Sequence, residues 1–255
     1  MTEDMRASAT TAASVTVELL EPAGIRLVET PAPPLPAAER AAAERAWERA
    51  TRANPGLHDG PAVACTGLAP DGPDALVLHW ARIDYRRFAL RLVPGATTRV
   101  SSLYVAVVQP SDDGRILVGR SASPTAHPGR WCLPGGSAEP PPPGEPLDPP
   151  ALRRHAAREL AEETGVFTAP EELTRWHLVR GEHGNVGVLH LAPARPSAEL
   201  SDCYEELSAA HRSLGTRPEL DRIALVGSPA EAAALPGPQA DHLAPVLRRL
   251  LAPSP

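Results

Sequence analysis

The 255-residue sequence contains no lysine, so all 25 of its Lys/Arg-type cations are arginines, and they are scattered along the chain. Against 31 acidic residues they leave a net charge of −6. A general nucleic-acid binder presents a basic stripe, and none is present, which argues against that role, so no nucleic-acid partner is expected. Cysteine is scarce too. Cys65, Cys132 and Cys203 have no metal-ligand spacing and cannot all pair with one another, so reduced thiols in a cytoplasmic protein are expected. No apolar run approaches the roughly 18 residues of a membrane span. The opening MTEDMRASATTAAS carries acidic residues where a secretory leader needs basic ones, and no internal repeat is visible. Neither a membrane anchor nor a membrane partner is expected.

Proline, in contrast, is abundant, with 31 residues. Residues 1–13 are small and polar and read as a disordered N-terminus. Ser14 to Leu20 alternates as a strand does. The Ala-rich, charge-interspersed segment from Ala37 to Arg52 predicts a helix, and NPGLHDG from Asn54 breaks it. Strands are expected over Pro61–Leu68 and Ala75–Ala81, so residues 14–97 read as a small mixed α/β unit. From Ser101 the texture changes. SSLYVAVVQ predicts a buried strand, DDG a tight turn and RILVGRS a hairpin partner for that strand. Leu173–Arg180 and Asn185–Leu191 predict a second hairpin. Asp202–Leu214 reads as helix, Ile223–Val226 as a closing strand, and two short helices end the chain.

One stretch organises the whole, Leu133 to Val166, LPGGSAEPPPPGEPLDPPALRRHAARELAEETGV. Asp148 followed by two prolines is a helix start, and Gly165 is the matching stop. On that helix Glu159, Glu162 and Glu163 share a sector roughly 100° wide. They lie near its negative end, where carboxylates are disfavoured. A solvated acidic face with arginine partners is the plain reading. A hard divalent cation is the other, since Mg²⁺ or Mn²⁺ takes oxygen ligands and keeps waters that a phosphate can replace. Gly135 and Gly136 would let the backbone approach such an ion closely and offer it a carbonyl.

The stretch resembles the box of the Nudix hydrolases, G-x5-E-x7-R-E-U-x-E-E-x-G-U with U aliphatic. Arg158, Glu159, Leu160, Glu162, Glu163, Gly165 and Val166 match the second half in full. The first half is interrupted by a proline-rich insertion. Glu145 is the expected surrogate for the first glutamate, which in the family pairs with the box arginine, and Asp148 comes second. The succession of Trp47, Asn54-Pro55-Gly56-Leu57, Asp59-Gly60 and Asp84-Tyr85-Arg86-Arg87-Phe88 loosely resembles, over about residues 14–95, the N-terminal region of a subgroup that includes UDP-sugar diphosphatases.

The resemblance implies a mixed α/β fold, a Nudix-type α/β/α sandwich with a mixed sheet, in residues 98–255. It implies Mg²⁺ (or Mn²⁺) as cofactor and hydrolysis of a nucleoside diphosphate linked to another moiety, a nucleotide sugar first and ADP-ribose next. By the same carry-over Gly135, Glu159, Glu162 and Glu163 would hold metal, and Glu159, Glu163 and Arg158 would form the catalytic set, Arg158 by tying loop to helix. Gly136, Glu145 and Gly165 would shape the loop. Glu219 is the expected further acidic ligand, with Glu205 and Glu206 behind it. Arg120, Arg130 and Arg86 are the expected phosphate contacts, and Trp131 a candidate for stacking a base. The partner is then a small nucleotide, and a homodimer is admitted. The interrupted box also admits a Nudix-fold nucleotide sensor or interaction module that does not hydrolyse.

Overall fold

The computed structural model describes residues 17–123 and 125–251. The expected disordered segment 1–13 and the first residues of the Ser14–Leu20 strand lie outside the described residues. Strands β1 (Glu18–Leu20) and β2 (Gly24–Glu29) open the described chain, followed by helix α1 (Ala37–Ala53) and strands β3 (Pro61–Pro70) and β4 (Ala75–Asp84). Next come β5 (Ser101–Val108), β6 (Ile116–Ser121), the two-residue β7 (Trp131–Cys132) and helix α2 (Pro149–Thr164). The hairpin β8 (Thr174–Arg180) and β9 (Val186–Leu191) precedes α3 (Ser197–Ser213), β10 (Leu220–Val226), α4 (Pro229–Ala234) and α5 (Leu243–Leu250).

Seven strands form one mixed sheet in the order β1-β8-β9-β5-β3-β4-β2, and β10-β6-β7 form a second. Strands β5 and β9 run parallel, as do β2 and β4. Because successive side chains on a strand point to opposite faces, β5 serves two cores. Leu103, Val105 and Val107 pack with Leu152, Ala156 and Leu160 of α2, while Ala106 and Val108 pack with Leu243, Val246 and Leu247 of α5. This is the helix–sheet–helix layering of the expected sandwich, and it fixes α2 against the middle of the sheet. The sheet also runs across residue 97: β3 pairs with β5 at Ala64↔Ser102 and Cys65↔Ser101, and β1 pairs with β8.

Two expectations need correction. The strand β2 was not foreseen, since GIRLVE has no clean alternation. The β5–β6 hairpin does not form: β6 lies in the other sheet, joined to the segment after β5 only by the bridge Pro110↔Ile116. The edge of β5 that a hairpin partner would need is taken by the glycine loop. Val105 N–H donates to the Gly136 carbonyl (3.0 Å), Val107 N–H to Pro134 (2.8 Å), and Gly136 N–H back to Val105 (3.1 Å). Backbone donors inside a fold must find acceptors, and here the loop supplies them.

Candidate active site

Helix α2 begins and ends as its sequence predicts. The Asp148 carboxylate accepts from Ala151 N–H at 2.8 Å, prolines occupy the first turn, and Gly165 adopts the left-handed conformation at φ 75°. Leu152, Ala156 and Leu160 are fully buried. Burial of each leucine contributes on the order of 2 kcal/mol, and this seats the helix so that its last two turns meet the loop Pro134–Gly136.

That loop is shaped by sterics. Gly135 has φ +152°, and a Cβ there would stand 2.2 Å from the Val105 carbonyl oxygen, so only glycine fits. The Pro134 and Gly136 carbonyls are spent on β5, whereas the Gly135 carbonyl accepts no hydrogen bond among the described residues. It is the carbonyl left for a ligand. A Cβ on Gly136 would lie 2.5 Å from Oε2 of Glu159, which measures how closely that carboxylate abuts the loop.

The carboxylates gather at this point. Glu163 is buried, and its Oε2 accepts from Gly135 N–H at 2.7 Å. Burial raises its pKa well above the ordinary carboxylate range. The Gly135 hydrogen bond opposes the rise, and repulsion from Glu159, Glu219 and Glu162 adds to it. Glu219, immediately before β10, remains exposed as a residue, yet partial desolvation of its carboxyl and then repulsion from Glu159 and Glu162 raise its pKa, with His58 opposing. The β6 end fixes its backbone, since Ala122 N–H donates to the Glu219 carbonyl at 2.7 Å. The thiol of Cys132, pushed up to about 12 by burial and then by Glu163, borders the same cluster. Four glutamates thus share a field that no side chain neutralises in full.

Loop and helix are tied by Arg158, although not through Glu145. Arg158 Nη2 lies 3.2 Å from Glu139 and its Nε 3.8 Å from Glu162, while Glu145 is exposed and engages only through its backbone N–H, donated to Pro142. The insertion is the reason: it lies between Glu139 and α2, so the acidic residue before it stays beside the helix. The insertion hid this partner from the sequence, and a second contact lies on the helix itself. His155 Nε2 and Glu159 Oε1 are 2.6 Å apart, one helical turn from each other, with the imidazole buried. The i, i+4 spacing was the available signal.

The expected phosphate contacts are all engaged with carboxylates. Arg120 meets Asp221 at 2.7 Å, Arg86 meets Asp59 and Asp84 at 3.3 Å each, and Arg130 meets Asp241 at 3.9 Å. Trp131 is fully buried with its indole N–H donating to the Pro236 carbonyl at 3.0 Å, so it is core and offers no face to a base.

Among the described residues no three acidic, histidine or cysteine side chains stand ready-made as a metal-ligand set. Glu163 is turned to the Gly135 amide and Glu159 to His155. The donor chemistry nonetheless suits a hard divalent ion. It offers only oxygens, an uncommitted carbonyl, and carboxylates whose mutual repulsion such a charge would relieve.

A family model described as NUDIX domain matches residues 101–250, well over half of the chain. A search of curated proteins finds no match. Similar solved structures include a MutT/nudix family protein from Enterococcus faecalis, at 18% identity over 51% of this chain and 45% of that one, TM-score 0.32. A bifunctional NMN adenylyltransferase/ADP ribose pyrophosphatase from Francisella tularensis, complexed with AMP and Mn ion, is similar at 16% identity over 63% of this chain and 44% of that one, TM-score 0.38. A MutT protein from Methanosarcina mazei Go1 aligns at 16% identity over 61% of this chain and 96% of that one, TM-score 0.39. The chain spans less than half the length of the first two.

Proposed function

The chain belongs to the NUDIX family, and on that premise we propose that it hydrolyses the diphosphate bond of a nucleoside diphosphate linked to another moiety. A nucleotide sugar is the preferred substrate and ADP-ribose the next, with Mg²⁺ or Mn²⁺ as cofactor, in a cytoplasmic setting. The observation that carries this reading is the convergence of Glu159 and Glu163 on the Gly135–Gly136 loop, with Glu162 and Glu219 in the same field. We assign the chemistry to residues 98–255, with the described part of residues 14–97 completing their sheet.

A bound divalent ion would screen the diphosphate and lower the pKa of a coordinated water. Glu162, Glu163, Glu219 and the Gly135 carbonyl are the residues that would hold it. Glu159, kept in place by His155, would orient the attacking water. Arg158 acts on the loop, through Glu139, and does not touch substrate. Of the three arginines, Arg130 has the longest separation from its partner, 3.9 Å from Asp241, and is the first choice for a substrate phosphate; Arg120 and Arg86 are held more closely.

The non-hydrolysing alternative drew its support from the interrupted box. The Arg158–Glu139 pair weakens it, because the tie between loop and helix exists despite the insertion. A panel of nucleotide sugars, ADP-ribose, dinucleotides and nucleoside triphosphates, each with Mg²⁺, Mn²⁺ or chelator, tests the reading. The expected products are a nucleoside monophosphate and the phosphate monoester of the other moiety, formed only with metal. Binding of these nucleotides without turnover would favour the sensor.

A further inference from the structure

A cavity of about 210 Å³ lies where Ile25 of β2, the first turn of α2 and the β8–β9 hairpin meet. Its apolar walls are Ile25, Val188 and the two prolines that open α2, and its polar lining is Arg153, Arg175 and His190. None of the four site glutamates borders it. Arg153 precedes Glu159 by six residues, roughly 9 Å along the axis, and points away by roughly 120° around it.

The polar groups here are left incomplete. His190 is 2% exposed, and its Nδ1 has no hydrogen-bond partner; the buried Nε of Arg153 has none either. Arg175, directly across the hairpin from His190, spends one Nη2 donor on the Ala23 carbonyl at 2.8 Å. No ion pair among the described residues includes Arg153 or Arg175, and no carboxylate lines the cavity. The helix end adds nothing, since its prolines have no N–H and Asp148 already accepts from Ala151. Two guanidiniums therefore face a partly buried space with no counter-charge, and partly buried cations without a partner are costly. Burial, then Arg153 and Arg175, depress His190 to about 4, so at neutral pH the ring is an uncharged donor and acceptor and the arginines carry all the charge.

We propose that this cavity is a binding site for a small oxyanion, phosphate or carboxylate, gripped by Arg153 and Arg175 with the His190 ring completing its hydrogen bonds. Guanidinium groups match both oxyanions in geometry. The space, about 210 Å³, lies below the roughly 300 Å³ at which pockets begin to enclose drug-sized ligands, which suits a small anion. Since β2 comes from the N-terminal part and α2 carries the glutamates, an anion held here would pin these two elements together.

The test uses the full chain in chelator, so that phosphate has no metal to follow to the glutamates. Inorganic phosphate and, separately, succinate are titrated at constant ionic strength while the His190 ring resonances and the melting temperature are followed. The expected result is saturable one-to-one binding of at least one of the two, a shift of the His190 resonances, and a raised melting temperature. Arg153→Gln and Arg175→Gln should each weaken the affinity about tenfold or more, while Glu163→Gln leaves it unchanged. Whichever anion binds identifies the headgroup. Neither anion moving His190, or affinity unchanged from wild type in both arginine variants, would overturn the proposal. Should either variant fail to fold, the wild-type His190 resonances decide alone.

Discussion

Glu163 is a buried acid in a field of like charges, held by one backbone amide. Replacing it with glutamine keeps that hydrogen bond and removes the charge. Turnover of the substrate identified by the panel should fall by on the order of two decades or more, the scale of losing a metal-held charge in the transition state. Steady-state kinetics check this, and unchanged turnover removes Glu163 from the mechanism. Gly135→Ala forces a Cβ onto the Val105 carbonyl at a φ that side chains rarely adopt. A loss of about 2 kcal/mol or more is expected in a urea melt, together with loss of activity.

His190 makes a pH prediction. Its folded pKa of about 4 lies below the ordinary 6.5, so between these values the unfolded chain binds the proton and the folded one does not. Stability from this group is complete above pH 6.5 and is lost as pH falls through 4, on the order of 3 kcal/mol in all. Denaturant melts across that window should show the loss in wild type, and His190→Gln should show a smaller acid dependence. Equal slopes would refute it. At this scale the sequence was most informative where residue type and spacing act locally. The late box carboxylates, the Asp148 cap and the Gly165 stop all follow from neighbours within one helix. Glu139 and His155 were less legible, because the first depends on how an insertion loops out and the second is one histidine among nine.

Among the elements, α2 carries the site and depends on its buried stripe. Leu152→Ala, a full turn and more from the glutamates, should cost about 2–5 kcal/mol by cavity formation. Its turnover under conditions where the protein stays folded should change little, since the residue touches only core. A matching loss of turnover with no loss of stability would contradict this division. The β5–β6 expectation failed at this scale for an instructive reason. Two apolar runs around a tight turn imply a hairpin only when both facing edges are free, and the β5 edge bonds to Pro134 and Gly136, some 30 residues later in the chain. The contact that displaces the hairpin is the same one that holds the glycine loop at the site.

For the whole molecule, the layered mixed fold was legible through the resemblance of Leu133–Val166 to the Nudix box, while periodicity gave the individual helices and strands. The joining of the first third to the rest was not, because strand pairing is non-local. Val63, Leu78 and Trp80 from β3 and β4 share a core cluster with α2 and β5, and β1 supplies a partner to β8. A chain beginning at residue 98 should therefore lose a cooperative melt, checked by calorimetry; a sharp transition near that of the full chain would show the first third to be dispensable. No helix among the described residues is long and apolar enough to cross a membrane.

The measurement that bears most directly on the account is a calorimetric titration of Mg²⁺ or Mn²⁺ into the full chain and into its Glu163→Gln variant, without substrate. Glutamates converging beside an uncommitted glycine carbonyl predict saturable binding in wild type, weakened about tenfold or more in the variant. No binding, or the same affinity in both proteins, would contradict it.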